Sequence, residues 1–177
     1  ILKTRSNYPL NGYLPEDDFI REEYLKVSDY LKRGGYEHYE VSNFAKDGLR
    51  SKHNQKYWLY ESVAALGANA TGLLVKDNEA IRYQWKSVSL GIKEDVLKGE
   101  SLLIEKLFLA LRFHHGVNFK KLFIRHEQQD VIEKLIKKWK EQNYLTSDSV
   151  LEQAYLTSLG YLMCDSLIDD IFKEVDF

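Results

Sequence analysis

The residues of this sequence most suited to chemistry lie in His53-Asn54-Gln55-Lys56-Tyr57-Trp58, the densest polar and aromatic cluster in the chain. An imidazole and an amide followed by two large rings can orient a planar ligand. They can equally pin a loop onto a sheet, since buried Tyr and Trp need polar partners. His114 and His115 are a second candidate. Neighbours on a regular helix point about 100 degrees apart, and no carboxylate stands at three- or four-residue spacing, so the pair does not read as a chelating site. Glu37, His38 and Glu40 fall on an expected strand, where alternation turns Glu37 away from the other two. That separation favours an ion-paired edge over a catalytic carboxylate pair. Gly67-Ala68-Asn69-Ala70-Thr71-Gly72 has small side chains that let a ligand approach the backbone, yet it lacks the lysine of a P-loop and fails both nucleotide fingerprints.

One cysteine, Cys164, stands among 177 residues. A single thiol forms no internal disulfide and cannot build a four-cysteine zinc site or hold an iron–sulfur cluster. Within its apolar helical pattern it reads as a small buried hydrophobe rather than a nucleophile. The expected compartment is a reducing cytosol. Lys134, Lys137, Lys138 and Lys140 form the one basic run, beside Trp139 and interleaved with Glu133 and Glu141. It reads as a solvated helical face, with DNA binding through phosphate contacts as the alternative.

The elements that must position these groups change character along the chain. A helical stripe of Phe19, Ile20, Tyr24, Leu25, Val27 and Leu31 spans residues 16–32, with Pro15 before it and Gly34-Gly35 after it. Residues 36–44 suit a strand and residues 45–56 show no clear period. Residues 63–74 read as a strand or turn lying closely against something, and residues 79–85 as a returning strand. From about Ser87 the pattern is mostly helical, over 92–97, 102–113, 119–126 and 131–142. Two short strands follow around Ser147-Asp148-Ser149, then a helix capped at Thr157. Helix, helix, hairpin, helix is the order of a winged-helix-like module.

Composition bounds what such a chain can be. With 44% hydrophobic and 13% aromatic residues it can bury a core, and a net charge of -2 argues against a general nucleic-acid binder. No run approaches the roughly 18 apolar residues of a membrane span, and the first residues lack the apolar core of a secretion signal. Met163 is the only methionine, so the chain starts without an initiator, as a processed protein or a piece of a longer one would.

Gly35-Tyr36-Glu37-His38-Tyr39-Glu40-Val41-Ser42-Asn43-Phe44-Ala45 is similar to G-Y-x-x-Y-E-[IV]-S-N-F-A, a motif of the oxygen-independent coproporphyrinogen III oxidase-like radical S-adenosylmethionine proteins. His53 to Trp58 resembles that family's H-N-x-x-Y-W, a pairing that suggests the subgroup implicated in haem handling. Residues 109–117 resemble its L-x-L-R-x-x-x-G-[VIL], and Leu156-Thr157-Ser158-Leu159-Gly160 its L-T-x-x-G. The resemblance implies an α/β architecture, read as α+β for this piece alone: the last strands and helices of a partial (β/α) barrel over 1–86, then a helical, winged-helix-like domain over 87–177. It implies S-adenosylmethionine and a [4Fe–4S] cluster in the parent, where a 5′-deoxyadenosyl radical would abstract hydrogen from a tetrapyrrole. The cluster's C-x3-C-x2-C motif is not in this chain and would belong to an amino-terminal half. The family's G-x-G-x-G-A-x-S segment matches residues 65–72, keeping Gly67 and Ala70 with Ala65 and Asn69 where glycine is usual. The resemblance sets Thr71 beside S-adenosylmethionine, with Thr4 near the end of the opening strand as a second contact. His53, Asn54, Tyr57 and Trp58 become candidates for tetrapyrrole or haem. Three functions follow as expectations: a radical-protein piece inactive alone, a haem-binding or haem-delivering protein using His53 or His114-His115, or a winged-helix nucleic-acid binder.

Overall fold

The computed structural model describes residues 14–87, 91–147, 149 and 151–175, so Thr4 and the expected opening strand lie outside the described residues. Helix α1 (Asp17–Arg33) begins two residues after Pro15, with Asp17 and Asp18 in its first turn and Lys32 and Arg33 in its last. Those charges complement the helix dipole at both ends. Gly35, at φ +80°, turns the chain into β1 (Tyr36–Glu40), which pairs antiparallel with β2 (Asn43–Lys46). The stretch without a clear period contains a short helix, α2 (Lys52–Trp58), started by Ser51, whose hydroxyl accepts from the Asn54 amide. Seven residues are too few for an apolar stripe to declare itself; the cap is the only local signal.

Strands β3 (Thr71–Val75), β4 (Glu79–Ser87) and β5 (Gly91–Lys98) form an antiparallel sheet in that order. The helix expected at 92–97 is therefore strand β5. Ile92, Val96 and Leu97 recur at helical spacing, but cross-strand pairing decides the outcome. Ile92 stands opposite Trp85, Val96 opposite Ile81 and Leu97 opposite Ala80, and Arg82 and Asp95 are joined at 2.7 Å. At its turn end this hairpin sets Ser87 opposite Gly91, with a register shift between Trp85 and Ser87.

Helix α3 (Glu100–Leu111) leads to β6 (Val117–Asn118), α4 (Phe119–Leu122), α5 (His126–Glu141), β7 (Leu145–Ser147), β8 (Gln153–Leu156) and α6 (Ser158–Glu174). The helix expected over 119–126 stops at Leu122. Phe123 is extended and buried, its ring stacked on Phe119 at 6.3 Å. Strand β8 lies between β6 and β7. Among the described residues the chain is thus mixed α/β, with six helices and three small antiparallel sheets.

The largest core lies between α3, α5, α6 and the β6–β8 sheet, around Leu107, Phe119, Ile136, Trp139, Leu167 and Ile171. A small second core joins Leu73, Ala80 and Leu97 of the β3–β5 sheet to Leu102 of α3. A third holds Tyr39, Ala45 and Phe113, with Trp58 packed against them. This last one brings distant segments together. The Val41 amide donates to Arg112 O at 3.0 Å and the His114 amide to Tyr39 O at 2.9 Å, so β1 runs beside the chain leaving α3. Among the described residues no helix is long and apolar enough to cross a membrane.

Candidate functional site

Helix α2 decides how the polar and aromatic cluster is presented. His53 and Tyr57, four residues apart, share one face with their rings edge-to-face at 5.2 Å. His53 is exposed, and the Tyr57 hydroxyl donates to Thr71 O at 3.2 Å, fastening α2 to the start of β3. Asn54 and Trp58 lie on the adjoining face, where Trp58 packs against the third core. The Asn54 backbone N–H donates to the Ser51 cap at 3.3 Å. The four candidates therefore do not converge on one point: His53 and Tyr57 look outward while Trp58 looks inward.

The inner side carries an anomaly. Trp58 Nε1 and the Tyr60 hydroxyl are both buried and neither has a hydrogen-bond partner among the described residues. Buried polar atoms of this kind are few in folded proteins. Tyr60 also adopts φ +58°, a left-handed conformation that bulky residues seldom take. Both residues line a cleft of about 290 Å³ between the end of α2 and the segment from α3 to α4.

His114 and His115 are placed differently despite being neighbours. The Arg50 guanidinium donates to His114 Nε2 at 2.9 Å and grips Glu37 through two bonds of 2.6 and 2.8 Å. Burial, then the charges of Arg50 and His115, push the His114 imidazole down to about 4, so at neutral pH it accepts that bond uncharged. The ion-paired edge expected of Glu37 is this pair. His115 is exposed, its ring tilted against Phe113 at 4.6 Å, and its imidazole makes no hydrogen bond among the described residues. Glu40 is buried, accepting from the Ser42 amide at 3.0 Å and from the Asn43 side chain.

Gly67, at φ +99°, and Asn69, at φ +63°, form a turn ahead of β3. The Asn69 amide donates to Trp85 O at 2.7 Å and the Ala70 amide to Gly67 O at 3.1 Å, so these backbone donors are already engaged. Gly72 meets the close neighbour anticipated for this run: a Cβ there would collide with the Tyr83 ring. Thr71 is exposed and lines a hollow of about 210 Å³ with Arg82, Gln84 and Lys93. Cys164 is buried, and burial pushes its thiol up to about 11. Among the described residues no group of three His, Cys, Asp or Glu side chains is placed to hold a metal. In the basic run, Lys137 pairs with Glu133 at 2.9 Å, Lys138 with Asp170 at 3.1 Å, and Lys140 donates to Ser147 at 3.1 Å. Residue-by-residue reading missed Tyr60 and Lys106 as parts of a site. Lys106 comes from α3, with its ammonium 5.5 Å from the Tyr60 ring centre, and no local spacing connects the two.

The chain resembles the haem-chaperone-like subgroup of the coproporphyrinogen III oxidase-like radical S-adenosylmethionine proteins. It is 38% identical over 110 residues to the heme chaperone HemW of Lactococcus lactis, covering 59% of this chain and 29% of that protein. A putative heme chaperone HemW-like protein of Buchnera aphidicola is 26% identical over 179 aligned positions, covering 96% of this chain and 47% of its own. The mouse mitochondrial radical S-adenosyl methionine domain-containing protein 1 is 38% identical over 61 residues, 34% of this chain and 14% of that one. The chain spans about half the length, or less, of these curated relatives. No protein-family model matches it, and no solved structure does.

Proposed function

We propose that this chain handles a tetrapyrrole, haem above all, as cargo for a radical S-adenosylmethionine protein of the haem-chaperone type, and that it generates no radical by itself. The observation that carries the reading is its similarity to proteins named heme chaperones, one of them along 96% of this chain. Exposed imidazoles at His53 and His115, each against an aromatic ring, supply the ligand type that haem iron takes.

A [4Fe–4S] cluster does not fit the residues present. Three thiolates are needed, and Cys164, the one cysteine, is buried with its thiol held protonated. Radical chemistry in this reading belongs to an amino-terminal half carrying the three-cysteine motif. Toward S-adenosylmethionine the chain would contribute Thr71 behind the turn of Gly67 and Ala70; the Asn69 and Ala70 amides are engaged, and the exposed Thr71 side chain is a group it can offer. In domain terms, the reading keeps a helical, winged-helix-like domain over 87–177. Support comes from the order α3, β6, α4, α5, β7, β8 with β8 pairing β6. The partial-barrel reading of the earlier part rests on sequence resemblance alone, because every described pairing there is antiparallel.

Titrating ferric haem into the chain tests the proposal. A saturable shift of the Soret band is expected, and no release of 5′-deoxyadenosine after anaerobic incubation with S-adenosylmethionine, dithionite, iron and sulfide. An unshifted Soret band, or 5′-deoxyadenosine from the chain alone, would overturn it.

A further inference from the structure

The geometry points to the cleft between the end of α2 and the α3–α4 segment as the tetrapyrrole site, with a carboxylate arm directed at Trp58, Tyr60 and Lys106 and with His115 as the iron ligand. This rests on the haem-handling reading above and adds where, and through which groups, the cargo is held.

Four features of the residues that line this cleft bear on its occupant. The indole N–H of Trp58 and the hydroxyl of Tyr60 are buried without partners, which costs free energy unless an acceptor arrives. Both residues line the cleft, and a carboxylate entering beside them offers the kind of acceptor that each lacks. Tyr60 holds its ring there from a left-handed backbone, and strain of this kind persists where surrounding structure enforces it, commonly at ligand sites. The lining charges are of one sign: Lys106 and Lys121 line the cleft with His115, and no Asp or Glu does. The nearest acid to Tyr60 by its electrostatic influence, Glu105, is held by Arg82 at 3.1 Å. The remaining walls, including Ala110, Phe113, Val117 and Leu122, are apolar.

Size agrees with partial enclosure. The cleft's 290 Å³ is just below the roughly 300–1,000 Å³ of sites that bury a drug-sized ligand, so it admits an arm and one edge of a macrocycle. The rest would lie at the rim, where His115 is exposed. An open, one-sided seat suits cargo that must leave again. His114 is excluded as the iron ligand because its Nε2 already accepts from Arg50 at 2.9 Å. His53 stands on the outward face of α2 and does not line the cleft.

Ferric haem and metal-free protoporphyrin IX, titrated into the whole chain and three variants, test the assignment. Expected for His115→Ala is haem binding at least tenfold weaker, with loss of the imidazole-ligated Soret and electron paramagnetic resonance signatures. Protoporphyrin affinity should stay within about twofold, and added imidazole should restore the haem spectrum. Charge reversal at both lysines, K106E with K121E, should weaken haem and protoporphyrin alike by tenfold or more, while circular dichroism reports an unchanged fold. Haem binding untouched by His115→Ala overturns the assignment. If His53→Ala then abolishes it, the haem-handling function stands with its site elsewhere. Failure of the unaltered chain to bind either tetrapyrrole removes both proposals.

Discussion

At the scale of single residues, His38 shows how much the fold asks of one side chain. It is 8% exposed and enclosed on every side. Nε2 lies 3.2 Å from the Tyr24 hydroxyl; Nδ1 lies 3.2 Å from Ser158 Oγ and 3.4 Å from Ser28 Oγ. Phe44 stacks on its ring at 4.1 Å and Tyr161 meets it edge-on at 4.8 Å. Burial first, and the Lys32 charge second, push its pKa from 6.5 down to about 4. A lowered value means that folding favours the neutral ring, so the unfolded chain binds more protons and stability rises with pH. The contribution is complete above about pH 6.5 and is lost as the pH falls toward 4. His114, also lowered to about 4, acts in the same direction. The urea midpoint should therefore drop between pH 7 and pH 5, and drop less in His38→Gln, which keeps a polar group but removes one of the two titrations. An identical pH dependence in the variant would show that His38 is not a source of it.

Elements meet in this molecule at points that tolerate little change, and the first turn of α6 is one. Thr157 caps the helix by accepting from the Gly160 amide at 3.0 Å, while its own hydroxyl donates to Asn143 O at 2.8 Å. Gly160 is pressed onto the Tyr144 carbonyl where the chain enters β7, and a Cβ there would run into that oxygen. On an open helix, glycine to alanine gains about 1 kcal/mol. Here overpacking against backbone opposes it, typically by 1–3 kcal/mol and occasionally more. Gly160→Ala should thus lower stability by about 1–2 kcal/mol in chemical denaturation; a stabilised variant would contradict the close approach. The same helix was plain from its residues, because Leu159, Leu167, Ile168 and Ile171 with a Thr cap form a long stripe, as do the stripes of α1, α3 and α5. Strand β5 was not, since Ile92, Val96 and Leu97 satisfy a helical period and only the facing Trp85, Ile81 and Ala80 settle the matter. For the site, the four-residue spacing of His53 and Tyr57 was readable once α2 was known to be helical. The cleft was not readable, because it exists only where β1 holds the segment around His114, 75 positions from Tyr39, beside α2.

Across the whole molecule, apolar burial is distributed unevenly, and local stability should follow it. The core between α3, α5, α6 and the β6–β8 sheet includes fully buried Trp139, Phe119, Phe123 and Ile136, with the Trp139 indole donating to Asp170 at 3.1 Å. The β3–β5 sheet covers one face only, through Leu73, Ala80 and Leu97 against Leu102. On its other face Leu74, Ile92 and Val96 are 45%, 45% and 51% exposed. Edge strand β5 carries Lys93, Glu94, Asp95 and Lys98, charges that discourage a further strand from pairing there. Helix α2 is seven residues long with no fully buried side chain, too short to persist without its contacts. Amide hydrogen exchange should accordingly be slowest in α5, α6 and β8, faster in β3 and β5, and fastest in α2. Haem seated in the cleft would add contacts at the end of α2 and around residues 113–118. Exchange there should slow on binding while α5 remains unchanged, since its amides open only with the main core. Protection of β5 equal to that of α5 would refute the gradient. Haem-induced slowing confined to the His53 face, with none around residues 113–118, would place the cargo away from the cleft.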